Sequence, residues 1–109
     1  MTEKPVGFNY HEHVINNYCI RAFEIAKSKG WHEVEREMGT VLALIHSEVS
    51  EALEADRKGD KENFAEELAD IVIRVFDLCG SMNIDLGTEI ENKMAKNEKR
   101  DYKHGGKSY

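Results

Sequence analysis

A chain of 109 residues, 40% apolar and 33% charged, is the size of one domain, with enough apolar material for a core and too much for a disordered segment. Its net charge of −6 argues against a sequence-independent grip on DNA or RNA, which needs a basic face, though a metal ion can still bridge carboxylates to a small phosphate ligand. No apolar run approaches the length of a membrane span, no basic segment followed by an apolar run resembles a signal peptide, and Cys19 and Cys79 lack C-x-x-C spacing. The expectation is a cytoplasmic protein with no membrane contact and two reduced, packed thiols.

Met1 to about Tyr10 reads as a lead-in, broken by Pro5-Val6-Gly7. With no later proline, the rest of the chain is free to be helical. The first helix is predicted over about 11–29, with Val14, Tyr18, Ile20 (or Cys19), Ala22, Ile25 and Ala26 as its apolar face and Gly30 closing it. His11 and His13 are two apart, face different ways on a helix, and make a poor metal pair. Trp31, the only tryptophan, follows the closing glycine. It reads either as a core plug over the helix end or as a platform on which a base stacks.

Two amphipathic helices follow, over about 35–58 and 61–80, joined by the short turn Arg57-Lys58-Gly59-Asp60. Such a turn makes them antiparallel neighbours. Each carries two acids three residues apart, Glu48/Glu51 and Glu67/Asp70, and residues at i and i+3 share a side of the helix. Val41, Leu44, Ala52 and Ala55 surround Glu48 on the helical wheel, so that acid interrupts an apolar stripe, where a carboxylate is disfavoured unless paired or coordinated. In the next helix Phe64, Leu68, Ile71, Val72, Val75 and Cys79 form the apolar face, with Glu67 and Asp70 along its edge. The competing reading is that the pairs arise from acidic composition and form salt bridges with Arg74 and lysines. His46 points away from the Glu48 side and is left out of the site.

Gly80-Ser81-Met82-Asn83 reads as a helix stop, and Asp85 as the cap of a fourth helix over about 86–100. Leu86, Ile90 and Met94 supply its buried edge, while Lys93, Asn97 and Arg100 at i, i+4 and i+7 line one strip that can reach phosphate. Residues 101–109 form a polar, glycine-bearing tail, expected to be flexible and able to close over an anion through Lys103, His104 and Lys107. Its Gly-Gly-Lys-Ser lacks the earlier glycine, preceding strand and following helix of a P-loop.

Four carboxylates on adjacent helices, with no histidine or cysteine among them, describe a site for a hard cation, Mg²⁺ or Mn²⁺ rather than zinc. The acids are not spaced as in an EF-hand, and the E-x-x-H repeats of di-iron bundles are absent. Mg²⁺ held this way keeps waters and completes its shell from substrate phosphates, so metal-assisted attack of water on a phosphoanhydride is the natural reaction.

Glu48-x-x-Glu51, fifteen intervening residues and Glu67-x-x-Asp70 resemble the signature of the MazG-type all-α nucleoside triphosphate pyrophosphohydrolases, a group that includes dimeric dUTPases, dCTP pyrophosphatases and phosphoribosyl-ATP pyrophosphohydrolase. Leu42-Ala-Leu-Ile-His-Ser-Glu48, Glu66-Glu-Leu-Ala-Asp-Ile-Val72, Lys93-Met-Ala-Lys-Asn97 with Arg100, and Lys29-Gly-Trp31 extend the likeness over roughly residues 11–107. The resemblance implies one all-α domain over 1–109, a four-helix antiparallel bundle completed by dimerisation, as a homodimer or homotetramer. It implies hydrolysis of an NTP or dNTP to NMP and pyrophosphate, as nucleotide-pool house-cleaning. Glu48, Glu51, Glu67 and Asp70 would be catalytic and carry Mg²⁺, with Mn²⁺ as a substitute. Lys93, Asn97 and Arg100 would contact phosphates, and Trp31 would lie near the base. Asp101 stands where many relatives carry a proline after the arginine. Competing functions are phosphoribosyl-ATP hydrolysis and a non-catalytic helical module that binds nucleotide or a partner protein.

Overall fold

The computed structural model describes residues 9–100, which form four α-helices: α1 (Tyr10–Ser28), α2 (Met38–Arg57), α3 (Lys61–Met82) and α4 (Leu86–Glu98). The lead-in and the tail, with Lys103, His104 and Lys107, lie outside the described residues. Three helices start where a short polar side chain satisfies an orphan backbone N–H. Asn9 accepts from the Glu12 N–H, Asp60 from that of Asn63 and Asp85 from that of Thr88, each at 3.1 Å. Helix α2 has no such cap, and it begins at Met38 rather than near residue 35 because Glu37 at its start is extended and its side chain makes no capping bond.

Helix α3 is central, with α1 along one side and α2 along the other, while α4 lies against α1. The predicted stop after Cys79 is displaced. Helix α3 runs through Gly80 to Met82 and ends at Asn83, which adopts the left-handed conformation (φ 55°) that asparagine tolerates. Gly80 serves packing instead, since a Cβ there would collide with the Cys19 carbonyl oxygen and sit 2.7 Å from the Phe23 Cβ. At that crossing Cys19 and Cys79 are both buried free thiols. Burial first, then the neighbouring Cys79, pushes the Cys19 thiol up to about 11, so it stays protonated. Helix α4 is anchored similarly. Gly87 packs on the Glu12 backbone, and Asn16 accepts from the Gly87 N–H at 2.9 Å while donating to Asp85 at 2.8 Å.

Among the described residues the buried apolar set consists of small residues, namely Cys19, Ala22, Ala52, Ala55 and Cys79. These let backbones approach closely but leave the larger apolar side chains half-covered. Ile20 is 56% exposed, so the α1 face runs through Cys19 instead, and Leu68, Val72 and Met94 are likewise exposed rather than buried. Met38, Leu42, Val49 and Leu53 leave an open apolar stripe along α2. The radius of gyration, 17.2 Å, exceeds the ~13 Å of a compact domain of about 100 residues.

Glycine substitutions distinguish close approach from mere exposure. Gly80→Ala should lower unfolding free energy by about 1–3 kcal/mol through overpacking. Gly39→Ala, on a helical site with open space around it, should raise stability by about 0.4–1 kcal/mol. Urea midpoints of the two variants check the difference in sign.

Candidate metal and nucleotide site

The α2–α3 hairpin turns tightly through Lys58, Gly59 (φ +70°) and Asp60. Its closeness brings acids distant in sequence together. One carboxylate oxygen each from Glu48, Glu67 and Asp70 lie within 4.8 Å of one another. Glu51 is exposed and stands beside Glu67, lining with it a neighbouring hollow that also includes Glu54, Lys58 and Asn63.

Glu67 bears the consequence of this crowding. Its Oε2 is buried without a hydrogen-bond partner. Burial, then the charge of Glu51 and contact with its carboxyl group, then Asp70 and Glu48, push the Glu67 carboxyl from 4.5 up to about 7. An orphaned, desolvated carboxylate oxygen among like charges is unfavourable for the protein alone and favourable for a cation. The donors are all carboxylate oxygens, as hard divalent ions prefer, so the residues present fit such an ion.

Glu48 is also paired within the chain. Arg74, one turn beyond Asp70, donates from Nε to Glu48 Oε1 at 2.8 Å. The salt-bridge reading is thus realised for this acid, alongside its convergence with Glu67 and Asp70.

A cleft of about 390 Å³ opens beside the acids. Ala22, Ile25 and Ala26 of α1, with Lys29 just past its end, form one wall; Trp31 and Arg36 of the α1–α2 connection, Glu48, and Asp70, Ile73, Arg74 and Asp77 of α3 form the rest. Trp31 is 56% exposed, a cleft wall rather than a core plug. The connection carrying it is tied down: His32 Nε2 lies 2.7 Å from Asp77 Oδ1, the His32 ring meets Phe23 edge-on at 4.9 Å, and Arg36 approaches Asp77 at 3.8 Å. The sequence reading missed His32, Arg36 and Asp77. Asp77 carried a usable signal, since it follows Asp70 by seven residues and so shares its side of α3.

The α4 strip is placed elsewhere in this chain. Lys93, Asn97 and Arg100 are exposed, and no α4 residue lines the cleft. Helix α4 packs at the Glu12–Asn16 end of α1, whereas the cleft uses Ala22–Lys29, about 20 Å from Glu12 to Ile25 at a rise of ~1.5 Å per residue. His46 is exposed, and so are His11 and His13, with His13 4 residues from its partner Asn17 at 3.2 Å.

No helix among the described residues is long and apolar enough to cross a membrane. Comparison with curated proteins and with solved structures gives no match. The model of the MazG nucleotide pyrophosphohydrolase domain matches residues 36–104, a span containing the acids, the hairpin, Arg74, Asp77 and the α4 strip. With most of its length matched, and with an all-α fold whose central hairpin gathers the acids, the chain belongs to the MazG nucleotide pyrophosphohydrolase domain family.

Proposed function

We propose that the protein hydrolyses a nucleoside triphosphate, ribo or deoxyribo, between the α- and β-phosphates in a Mg²⁺-dependent reaction, releasing NMP and pyrophosphate and clearing unwanted nucleotides from the cytoplasmic pool. The observation that carries this reading is the convergence of Glu48, Glu67 and Asp70 around a partnerless carboxylate oxygen at the edge of a tryptophan-walled cleft. When bound, Mg²⁺ would polarise the phosphoryl oxygens and lower the pKa of the attacking water. Glu48, Glu67 and Asp70 hold the ion, with Glu51 beside them and Mn²⁺ as a workable substitute. Trp31 offers its exposed face to the base, against Ile25. The His32–Asp77 contact keeps that face in place. A cytoplasmic setting also suits the two protonated thiols.

The reading extends to assembly. The chain functions as a homodimer or homotetramer, and Lys93, Asn97 and Arg100 reach the phosphates of a second copy's site. Two observations support this: the open Leu42–Val49–Leu53 stripe of α2, and the separation of the α4 strip from its own chain's acids. Sedimentation velocity should find a dimer or larger species, reduced to monomer by Leu53→Asp with loss of turnover. A fully active monomer would overturn the shared site.

Pyrophosphate release from a panel of NTPs, dNTPs and phosphoribosyl-ATP, in Mg²⁺, Mn²⁺ or EDTA, tests the chemistry. Metal-dependent release that falls at least about 10²-fold in Glu48→Gln or Asp70→Asn is expected, since each variant loses a charged ligand of the ion. Near-normal turnover of either variant at saturating Mg²⁺ would show the ligand assignment to be wrong. Metal-dependent nucleotide binding without pyrophosphate release would favour a binding module.

Glu67 gives a pH signature independent of turnover. Its folded-state value of about 7 lies above the ordinary 4.5, so the native state holds the extra proton between those values. Its contribution to stability is therefore full below pH 4.5 and is lost as pH rises through 7. In EDTA, wild type should lose melting temperature relative to Glu67→Gln between pH 5.5 and 8, and saturating Mg²⁺ should restore wild type at pH 8. Parallel melting curves for the two proteins across that range would refute the assignment.

A further inference from the structure

Glu48 belongs to two constellations at once. It contributes to the acid trio, and its Oε1 accepts from Arg74 Nε at 2.8 Å. Glu48 is 12% exposed and Arg74 31%, so this pair is better shielded than the Arg57–Glu54 pair, which is 4.0 Å apart with both side chains more than half exposed. A guanidinium stays charged at any working pH, so its charge cannot be removed to make room for another cation. A divalent ion drawing on Glu48 must therefore weaken the hold on Arg74, and Arg74 must weaken the hold on the ion.

The released guanidinium has a destination. Arg74 lines the same cleft as Trp31, and its Nη nitrogens make no hydrogen bond among the described residues. Lys29 and Arg36 are the other cations lining the cleft, and Arg36 leans toward Asp77. Arg74 alone of the three is in direct contact with an acid of the trio, where phosphate oxygens would lie in the proposed reaction. Its planar fork of N–H donors matches two phosphate oxygens at once.

We propose that Arg74 exchanges partners during binding: it is the counter-ion of Glu48 in the cation-free site, and it contacts a phosphate oxygen of the nucleotide once a divalent cation holds Glu48. This inference rests on the pyrophosphohydrolase reading and adds to it a substrate-contacting residue that opposes the metal alone and favours metal with nucleotide. Arg74 thereby makes occupation of the site by ion and triphosphate cooperative, because each removes a cost the other meets.

Calorimetry with Mn²⁺ alone, and with inorganic tripolyphosphate at saturating Mg²⁺, tests both halves without reference to the base. Arg74→Gln should bind Mn²⁺ about threefold more tightly, the scale of a partly exposed ion pair. It should bind tripolyphosphate about tenfold or more weakly, the scale of a lost charge-assisted hydrogen bond. Arg74→Lys keeps the charge and loses the fork, so it should match wild type for Mn²⁺ and fall short for tripolyphosphate; it carries the test if Arg74→Gln does not fold. Arg57→Gln, a change in the exposed pair, should match wild type in both titrations. Unaltered or weaker Mn²⁺ binding by Arg74→Gln, or unaltered tripolyphosphate binding by both Arg74 variants, overturns the exchange. Wild type that binds Mn²⁺ but neither binds tripolyphosphate nor hydrolyses a nucleotide overturns the pyrophosphohydrolase reading and the exchange together. Wild type that does both, with Arg74→Gln indistinguishable from it, overturns the exchange alone.

Discussion

Like charges held close together in a partly desolvated place are the constraint around which the molecule is arranged. Glu48, Glu67 and Asp70 bring oxygens within 4.8 Å, and repulsion would part them if their helices were free to move. They are not free. The tight turn at Lys58–Asp60 ties the ends of α2 and α3, and Ala52 and Ala55 let the two backbones pack closely beside the acids. The unfavourable energy appears as a raised Glu67 pKa, a carboxylate oxygen without a partner and an arginine drawn onto Glu48. All three are features that added positive charge at this point would relieve.

Close approach has a second consequence. Small residues at the α1–α3 crossing, with Gly80 against Cys19 and Phe23, bring α1 near enough for Ala22, Ile25 and Ala26 to wall the cleft beside Asp70. The same choice leaves little volume for large side chains between helices, so the larger apolar residues lie half-covered on the outside. A well-placed site and an incomplete core are thus two results of one packing solution. An open stripe of this kind along α2 is what the proposed assembly would cover with a second copy.

Much of this was legible in the residues. Helical periodicity located all four helices, and i, i+3 spacing placed Glu67 and Asp70 on one side of α3, because both depend only on local geometry. The cap residue Asp85 has the same local logic. What was not legible depends on which helix crosses which, and where. Gly80 reads locally as a stop, yet tertiary contact makes it a site of close approach. Arg74 could be read only as a possible salt-bridge partner, because its companion lies 26 residues away on another helix. The Lys93–Asn97–Arg100 strip was legible as a strip, but its distance from the acids follows from α4 packing on the far end of α1. Trp31 needed the His32–Asp77 contact, 45 residues apart, to be seen as a wall.

The division of the cleft between two kinds of structure bears on how it would choose a substrate. Its acidic end lies within the rigid hairpin, where a change of one residue disturbs charge balance, core and turn together. Its aromatic end lies on a connection outside the helices, fixed mainly by His32, Arg36 and Phe23. Connections of this sort tolerate replacement better than packed helices do. Under the proposed function, chemistry common to all nucleotides would fall to the hairpin, and discrimination among bases to residues 30–37. Asp77 joins the two, since it sits on α3 seven residues beyond Asp70 and holds the connection through His32. A shift of α3 that moves Glu67 and Asp70 also pulls on the connection through the His32–Asp77 contact, which in the proposed reaction would keep the base contact and the phosphate chemistry in register.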